Sequence, residues 1–299
     1  MTKLRSLLFV PGDSEKKLAK AGGAGGAGAD ALILDLEDSV APENKPRARA
    51  LVPAFLRDRP PHGRSSQLWV RINPLDSALA LEDLVAVMAA APDGLMLPKA
   101  EGPADVLKLS HYLDALEAEA GVPIGSTRIL PVATETASAP FRLGDYAAAK
   151  LDRLLGLTWG AEDLSAAIGA STNLEPSGGW ALTYRTVRTL TLLAAHAARV
   201  QAIDTVYVDF RDDEGLRAAS RASRAEGFTG RIAIHPAQVA SINESYLPSS
   251  QEIDDAHRVV AAFAAEPGAG TVGLDGRMID IPHLKQAQGV LAQAAAYAR

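Results

Sequence analysis

The chain contains no cysteine among its 299 residues, and several other features are scarce or absent. Without cysteine it can form neither disulfides nor thiolate metal sites. Aromatic residues make up 5% of the sequence, and no apolar run approaches the roughly 20 residues of a membrane helix. The net charge of −6 leaves no basic excess of the kind that nucleic-acid binding normally requires. We therefore predict a protein with neither nucleic-acid nor membrane partners.

The N-terminal sequence MTKLRSLLFVPGD has an apolar run that meets Pro11, Gly12 and Asp13 too soon for the core of a signal peptide. We therefore expect a cytoplasmic protein. A hydrophobic fraction of 47% and a charged fraction of 22% are typical of a globular chain. The length accommodates one α/β barrel with an additional C-terminal segment.

Eight short apolar runs recur along the chain, and the segments between them have apolar residues at helical spacing. Alternation of strands and helices indicates a parallel sheet covered by helices, and eight such units favour closure into a (β/α)8 TIM barrel. The predicted strands are Ser6–Val10, Ala31–Leu36, Leu68–Ile72, Gly94–Leu97, Thr127–Val132, Leu154–Leu157, Thr205–Val208 and Arg231–Ile234.

The chain continues beyond the eighth run with a predicted helix over Ser241–Ala265, a glycine-rich stretch over Pro267–Gly276 and a second predicted helix over Leu284–Ala298. A barrel does not need this segment. We expect residues 1–240 to form the barrel and residues 241–299 to form a C-terminal helical extension. The extension either packs as a stabilising addition or leaves the barrel through a flexible glycine-rich connector and serves as a lid.

The segment Ala21–Gly28 contains glycines in the spacing G-x-G-x-x-G. A dinucleotide fingerprint follows a strand and opens a helix, whereas this segment precedes the predicted strand Ala31–Leu36. We interpret it as a poorly ordered or close-packed end of the first helix, without a cofactor role.

Residues able to do chemistry follow nearly every predicted strand. The carboxyl ends of barrel strands converge on one mouth, so the residues that follow the strands are predicted to form a catalytic rim there. These residues are Pro11, Gly12, Glu37, Asp38, Asn73, Lys99, Glu135, Glu162, Asp163, Asp209 and His235, and Arg71 lies near the end of the third run.

Two carboxylates on the rim are candidates for a metal site. Glu135 and Asp163 follow adjacent strands, and Mg²⁺ typically takes one or two carboxylates with water and substrate oxygens. The alternative is that they cap helices or pair with arginine. Asp35 and Glu37 share one face of the second strand and need a cationic partner when buried. Arg71 can supply that charge, either toward a substrate or as an internal bridge.

Other kinds of catalytic centre find little support. The six histidines are not spaced as metal ligands, and there is no G-x-S-x-G elbow and no Walker A sequence. His235 either binds substrate or satisfies backbone groups at the end of its strand.

Taken together, nine sequence blocks resemble the citrate lyase β-subunit-like family of the HpcH/HpaI aldolase superfamily, in family order and over almost the whole chain. The blocks are RSLLFVPG, ALILDLEDSV, VRIN, LPKAE, ATET, GAEDL, AIDTVYVDFRDDEGL, GFTGRIAIHPAQV and DGRMIDIP.

The resemblance implies a barrel that uses Mg²⁺ to make or break a carbon–carbon bond between a 2-oxo acid and an acyl thioester. It implies that Glu135 and Asp163 hold the metal, and that Arg71 binds the carboxylate of the oxo acid. Asp280 matches the position from which family members supply an acid/base, commonly to a neighbouring subunit. This favours the lid interpretation of the extension and a homo-oligomer, with a homotrimer preferred.

We count Asp280, Arg71 and Glu37 as catalytic candidates. The remaining rim residues expected to contact substrate are Pro11, Gly12, Asp38, Lys99 and His235. The expected partners are an acyl-CoA thioester and a 2-oxo acid of the oxaloacetate, pyruvate or glyoxylate class.

The resemblance leads to a Mg²⁺-dependent acyl-CoA lyase of the malyl-CoA or citramalyl-CoA type as the preferred function. The first alternative is a citrate lyase β subunit that cleaves a citryl thioester on an acyl carrier protein into oxaloacetate and an acetyl thioester. The second is a catalytically quiet barrel that binds a partner.

Overall fold

The computed structural model describes residues 4–23 and 28–297, and most of this chain forms an eight-stranded parallel barrel. In chain order the strands are β1 (Ser6–Pro11), β2 (Ala31–Asp35), β3 (Gln67–Arg71), β4 (Gly94–Leu97), β5 (Arg128–Pro131), β6 (Gly156–Thr158), β7 (Gln201–Asp204) and β8 (Gly230–Ala233).

The strands neighbour one another in the order β5-β4-β3-β2-β1-β8-β7-β6. Between β5 and β6, parallel bridges join Ile129 to Leu154 and Val132 to Thr158, which brings the two edges of the sheet together. The Ala133 amide also donates to the Thr158 carbonyl at 2.8 Å. The predicted barrel fold is confirmed.

Helices connect the strands along the chain. They are α1 (Glu15–Gly22), α2 (Lys45–Arg57), α3 (Leu79–Val87), α4 (Pro103–Ala120), α5 (Glu162–Ile168), α6 (Leu182–Ala197), α7 (Asp213–Glu226) and α8 (Gln238–Ser245). The connection from β5 to β6 carries a 3₁₀ helix, Ala139–Ala147, and both α5 and α6 lie between β6 and β7.

Apolar side chains fill the barrel interior. The buried cluster includes Leu7, Ile33, Trp69, Met96 and Ile232 from five different strands. A packed interior leaves no pore, so a ligand can be bound only at an end of the barrel.

The seventh strand differs from its prediction. We expected Thr205–Val208, but β7 is Gln201–Asp204, and Asp209 lies in the loop beyond it. The strand begins and ends with buried polar residues that an apolar pattern does not detect. Gln201 accepts from the Leu4 amide at 3.1 Å and donates to Thr229 Oγ1 at 3.0 Å, which satisfies its buried amide.

The glycine-rich segment after α1 is partly described. A Cβ at Gly22 would lie 2.6 Å from Cζ of Phe55 on α2, so the end of α1 is close-packed there. Gly25 and Gly26 lie outside the described residues.

The chain divides between Asn243 and Glu244 into two compact units, and the second is the smaller. The predicted boundary at residue 240 falls inside α8. The second unit contains α9 (Ser250–Ala265), β9 (Thr271–Leu274), β10 (Arg277–Asp280) and α10 (Ile281–Tyr297). The single helix expected over Ser241–Ala265 is two helices, α8 and α9. The turn between them contains Pro248, which cannot donate an N–H to a continuing helix.

The glycine-rich connector expected to be flexible is instead an antiparallel hairpin. β9 pairs with β10 from Thr271↔Asp280 to Leu274↔Arg277. Asp275 and Gly276 form the turn with φ of 50° and 73°, a combination that suits a two-residue hairpin loop. Val272 and Ile279 pack with Phe263 in the apolar core of this unit.

Within the described chain, no helix combines the length and apolar character of a membrane span.

Candidate active site at the barrel mouth

Arg71, the last residue of β3, lies against the two acids that the sequence placed on one face of the second strand. Its Nε and Nη2 donate to the two carboxylate oxygens of Asp35, each at 2.7 Å, and its Nη1 lies 2.9 Å from Glu37 Oε2. The guanidinium also stacks on the Phe9 ring at 4.5 Å. Burial alone would raise the pKa of Asp35, but the hydrogen bonds and charge of Arg71 lower it. Asp35 is therefore a carboxylate.

Lys99 connects the second strand with the predicted metal pair. Its Nζ lies 2.5 Å from Glu37 Oε1, 3.2 Å from Asp163 Oδ1 and 3.5 Å from Asp38 Oδ2. Its backbone N–H donates to Glu135 Oε2 at 2.6 Å. Although burial opposes the charged form of Lys99, Glu37 and the other nearby carboxylates raise its pKa, so the ammonium form is favoured.

Glu135 is nearly buried, with 6% of its surface exposed. Burial and the nearby charge of Asp163 raise its pKa to about 8. Gly160 makes room for this side chain, since a Cβ there would lie 2.9 Å from Glu135 Cγ. Asp163 approaches from the first turn of α5. The raised pKa therefore reflects first the burial of Glu135 and then its acidic neighbour, and a cation bound beside Glu135 would lower it again.

Glu135 and Asp163 offer oxygen donors of the kind that a divalent cation such as Mg²⁺ takes. In the described residues, no cluster of three or more His, Cys, Asp or Glu side chains could hold a metal. A metal at Glu135 and Asp163 would therefore depend on water and substrate oxygens for its other ligands, as Mg²⁺ commonly does. Its charge would favour the carboxylate form of Glu135.

The pair opens onto a cavity of about 150 Å³ at the barrel mouth. The Thr158 hydroxyl is buried and has no hydrogen-bond partner in the described part of the chain, so a ligand oxygen could satisfy it. The lining residues are Phe9, Arg71, Met96, Val132, Glu135, Thr158, Trp159, Gly160, Ala161, Glu162, Asp163, Thr205, Val206 and Ile232.

Besides Glu37 and Lys99, four predicted site residues of the barrel are absent from that lining: Pro11, Gly12, Asp38 and His235. The Gly12 amide, next to Pro11, donates to the Asp35 carbonyl at 2.9 Å. Asp38 is more than half exposed beside Lys99. His235 stacks on Phe210, with ring centroids 4.6 Å apart.

Asp280 belongs to the second unit, where it ends β10. Its Oδ1 lies 2.5 Å from Nδ1 of His283, three residues later in α10.

Two residues of the mouth were missed by the sequence analysis. Trp159 follows β6 and lines the cavity, and its indole N–H donates to Asp204 Oδ1 at 2.7 Å. Asp204 is buried at the end of β7. Burial would raise its pKa, but Arg231 and Arg188 lower it to about 2. Because β7 was predicted at Thr205–Val208, the sequence analysis did not recognise Asp204 as a strand-end residue. The one sequence signal near it was the Trp at the end of the sixth strand, in LTWGAEDL.

Known proteins resemble this chain over nearly its full length. The HpcH/HpaI aldolase/citrate lyase family model matches residues 5–236. A citrate lyase subunit beta-like protein of Mycobacterium tuberculosis is 37% identical over 287 residues, covering 96% of this chain and 94% of its own. The mitochondrial citramalyl-CoA lyase of Rattus norvegicus is 35% identical over 306 residues, covering 97% and 86%.

A solved structure agrees with the same assignment. The CitE protein from Mycobacterium tuberculosis, in complex with magnesium, acetoacetate and coenzyme A, has a TM-score of 0.79 and 36% identity over 97% of this chain and 98% of that chain. The family suggested by the nine sequence blocks, and its class of lyases, are confirmed. With 37% identity along nearly its full length, the chain belongs to the HpcH/HpaI aldolase/citrate lyase family.

Proposed function

We propose that this protein is a Mg²⁺-dependent lyase that cleaves or forms the carbon–carbon bond of a 3-hydroxy-3-carboxyl acyl-CoA. The products of cleavage are a 2-oxo acid and a shorter acyl-CoA, as expected for a malyl-CoA or citramalyl-CoA substrate. One observation carries the proposal: the carboxylates of Glu135 and Asp163 and the guanidinium of Arg71 all line one small cavity at the barrel mouth.

Glu135 and Asp163 are the residues that would hold Mg²⁺. When bound, the metal supplies positive charge to the hydroxyl and carboxylate oxygens of the substrate, where negative charge develops during cleavage. The relative from Mycobacterium tuberculosis has been solved with magnesium and coenzyme A, which supports both partners for this chain.

Arg71 is our candidate for the substrate carboxylate. A guanidinium has five N–H groups. Two of those in Arg71 donate to Asp35 and a third faces Glu37, which leaves two for a ligand. Asp35 holds the guanidinium plane in a fixed orientation, so the remaining donors are aimed before substrate arrives.

Glu37 and Lys99 support this arrangement. Glu37 contacts Arg71 through one carboxylate oxygen and Lys99 through the other. We assign it the positioning of both cations. Lys99 adds positive charge near Asp163 and remains a candidate contact to the substrate.

Asp280 is our candidate for the group that transfers a proton during cleavage. In the retro-aldol direction a base removes the proton from the 3-hydroxyl, the bond between carbons 2 and 3 breaks, and the thioester enolate is protonated at carbon 2. We propose that Asp280 acts in the site of a neighbouring subunit, and that Pro11, Gly12, Asp38 and His235 contact the thioester portion.

A citrate lyase β subunit is the second candidate, because the Mycobacterium relative is named for that activity. Its substrate would be a citryl thioester on an acyl carrier protein, and it would need partner subunits. Activity of the purified chain alone on a CoA thioester distinguishes the two functions.

The direct test is to assay the purified chain with malyl-CoA and citramalyl-CoA, with and without Mg²⁺, by release of glyoxylate or pyruvate. Glu135→Gln and Asp163→Asn keep the size of each side chain and remove its charge, so both should abolish Mg²⁺-dependent cleavage. Glu119→Gln, an exposed carboxylate on α4, is the matched control and should behave as wild type. Normal activity of the Glu135 and Asp163 variants, or no cleavage of either thioester, contradicts the proposal.

A further inference from the structure

A lysine on α2 binds the end of the second strand from outside the cavity lining. Lys45 is the first residue of α2, and it is not one of the residues that line the cavity at the barrel mouth. Its Nζ donates to the backbone carbonyls of Leu36 at 2.7 Å and Glu37 at 2.8 Å, and to Asn73 Oδ1 at 3.0 Å. An ammonium has three N–H donors. In Lys45 all three go to neutral oxygens that follow β2 and β3.

Asn73 is a fixed partner for that ammonium. It is buried, and its side-chain N–H groups donate to Asp83 Oδ2 at 2.6 Å and to the Leu36 carbonyl at 3.1 Å. Its backbone N–H also donates to Asp83, at 2.8 Å. Asp83 is fully buried on α3 and accepts from Arg49 Nε at 2.6 Å. Lys45 therefore joins the end of β2 to a buried network in which each member is held by others.

The two carbonyls that Lys45 binds belong to the turn that carries Glu37 into the site. One oxygen of the Glu37 carboxylate lies 2.9 Å from Arg71 Nη1, and the other lies 2.5 Å from Lys99 Nζ. These are the two cations that the proposed function uses. A rotation of the peptide at Glu37 would move the carboxylate, and both contacts would change with it. A group misplaced by about 1 Å can lower a rate roughly 100-fold.

The turn keeps other hydrogen bonds that do not involve Lys45. The Leu36 carbonyl also accepts from Asn73, and the Glu37 carbonyl accepts from the Val40 amide at 3.0 Å. Neither carbonyl would be left without a donor if the ammonium were removed, and among the described residues only Asn73 Oδ1 would lose its donor. The loss of stability should therefore be modest. The larger effect should be a looser turn.

We propose that Lys45 is a positioning residue that acts through Glu37 to hold Arg71 and Lys99 in place at the barrel mouth. The inference rests on the proposed function, because it takes Arg71 as the anchor of the substrate carboxylate. It gives a role in the reaction to a residue outside the cavity lining.

A double-mutant cycle between Lys45 and Glu37 tests the inference. Lys45→Met keeps the length of the side chain and removes the ammonium. We expect it to lower kcat/KM for the preferred thioester about tenfold, the scale of a shift smaller than 1 Å, with a small decrease in melting temperature. In Glu37→Gln, where the contacts to both cations are already weakened, the same substitution should change kcat/KM by less than about twofold. Equal losses in both backgrounds would overturn the inference, because a merely structural role does not depend on Glu37.

Arg47→Met is the matched control, because Arg47 is an exposed cation on the same helix. It should keep the wild-type kcat/KM, and a loss equal to that of Lys45→Met would assign the effect to the charge of the helix instead. Lys45→Gln keeps N–H donors without the charge and should lie between Lys45→Met and wild type. If Lys45→Met does not fold, Lys45→Gln takes its place in the same cycle.

The crystal structure of Lys45→Met tests the positions without turnover. The Glu37 carboxylate should lie farther from Arg71 Nη1 and from Lys99 Nζ than the 2.9 and 2.5 Å of the wild type. Unchanged distances would overturn the inference. If the wild type cleaves no thioester under any condition, the proposed function fails, and this structure still decides whether Lys45 positions Glu37.

Discussion

Lys99 adopts a left-handed backbone conformation, with φ of 50°, which is uncommon for a residue with a long side chain. This conformation lets the backbone N–H reach Glu135 while the side chain reaches Glu37 and Asp163. Its cost is on the order of 1 kcal/mol. Strained residues of this kind concentrate at functional sites, and here the strain allows one residue to contact both halves of the acidic cluster.

Arg71→Lys tests whether the planar guanidinium matters beyond its charge. Lysine keeps the positive charge but cannot hold Asp35 through two parallel hydrogen bonds. We expect kcat/KM to fall about 10²-fold, the scale of a misplaced reacting group, and the melting temperature to fall because Asp35 loses a partner. Arg57→Lys, an exposed arginine on α2, is the control. Near-normal turnover of Arg71→Lys would leave Arg71 as a structural bridge.

The short connection from β6 to α5 brings two residues of the cavity lining into position. It carries Trp159 toward the cavity and starts the helix that holds Asp163. In the sequence, Gly160 lies between Trp159 and Asp163. It packs against the side chain of Glu135, which follows β5. A residue with a side chain cannot occupy this place unless Glu135 moves.

Gly160→Ala should therefore damage the site while leaving the fold intact. The added Cβ would come within 2.9 Å of Glu135 Cγ, so Glu135 must shift by several tenths of an ångström. We expect weaker Mg²⁺ binding and a loss of turnover, with a circular dichroism spectrum like that of wild type. Gly144→Ala is the matched control, since a Cβ there meets no atom within 4 Å. Wild-type Mg²⁺ affinity in Gly160→Ala would contradict the close contact.

A buried ion pair joins α4 to the segments before β5 and β6. Arg153 donates to both oxygens of Glu117, at 2.9 and 2.6 Å, and the Thr127 amide donates to the same carboxylate at 2.8 Å. Burial would raise the pKa of Glu117, but these hydrogen bonds lower it from 4.5 to about 2. The lowered pKa means that the ionised form stabilises the fold above pH 4.5, and that this stabilisation is lost as the pH falls toward 2.

Glu117→Gln should lower the free energy of unfolding by about 3 kcal/mol near neutral pH, because it removes the buried carboxylate that pairs with Arg153 and leaves Arg153 the half-exposed Asp114. The difference from wild type should shrink as the pH falls from about 4.5 to about 2, since in that window Glu117 takes up a proton in the unfolded chain while it remains ionised in the folded protein. Urea unfolding at pH 7 and at pH 3 measures both values. Glu119→Gln on the same helix should show little difference at either pH. An equal destabilisation at both values would show that the charge of Glu117 is not what matters.

At the scale of the whole molecule, the proposed function uses a residue from each compact unit. Glu135 belongs to the barrel, and Asp280 ends a hairpin in the second unit, beside His283. The hairpin packs against α9 in the small apolar core of this unit, which is suited to holding an acid/base in a fixed place. A symmetric homo-oligomer would allow the second unit of one chain to serve the barrel of another.

Mixing two inactive variants tests the shared site. Asp280→Asn should preserve the fold and Mg²⁺ binding while lowering turnover by ~10²-fold or more, as expected for a lost acid/base. Glu135→Ala should lose metal-dependent activity. Under subunit exchange the mixture should regain part of the activity, because some sites combine an intact metal pair with an intact Asp280. A lack of recovery despite proven exchange would return Asp280 to the site of its own chain.

The sequence by itself was sufficient for the fold and the family, because both depend on patterns that are local or repeated. Eight apolar runs, separated by segments whose apolar residues have helical spacing, predict the barrel. The residues that follow the predicted strands predict which side chains lie at its mouth. Glu135, Asp163 and Arg71 were placed on that rim, and the structure brings all three to one cavity. The stretch Pro267–Gly276 was interpreted as a connector, although its Asp275-Gly276 pair has the residue types of a two-residue hairpin turn.

Only the tertiary structure decided how the charges pair. Arg71 holds Asp35 across 36 residues, and Trp159 donates to Asp204 across 45. Such pairs leave no local signal, because a buried carboxylate interrupts an apolar pattern and its compensating cation lies on another element. That is why β7 was displaced in the sequence analysis and Asp204 missed.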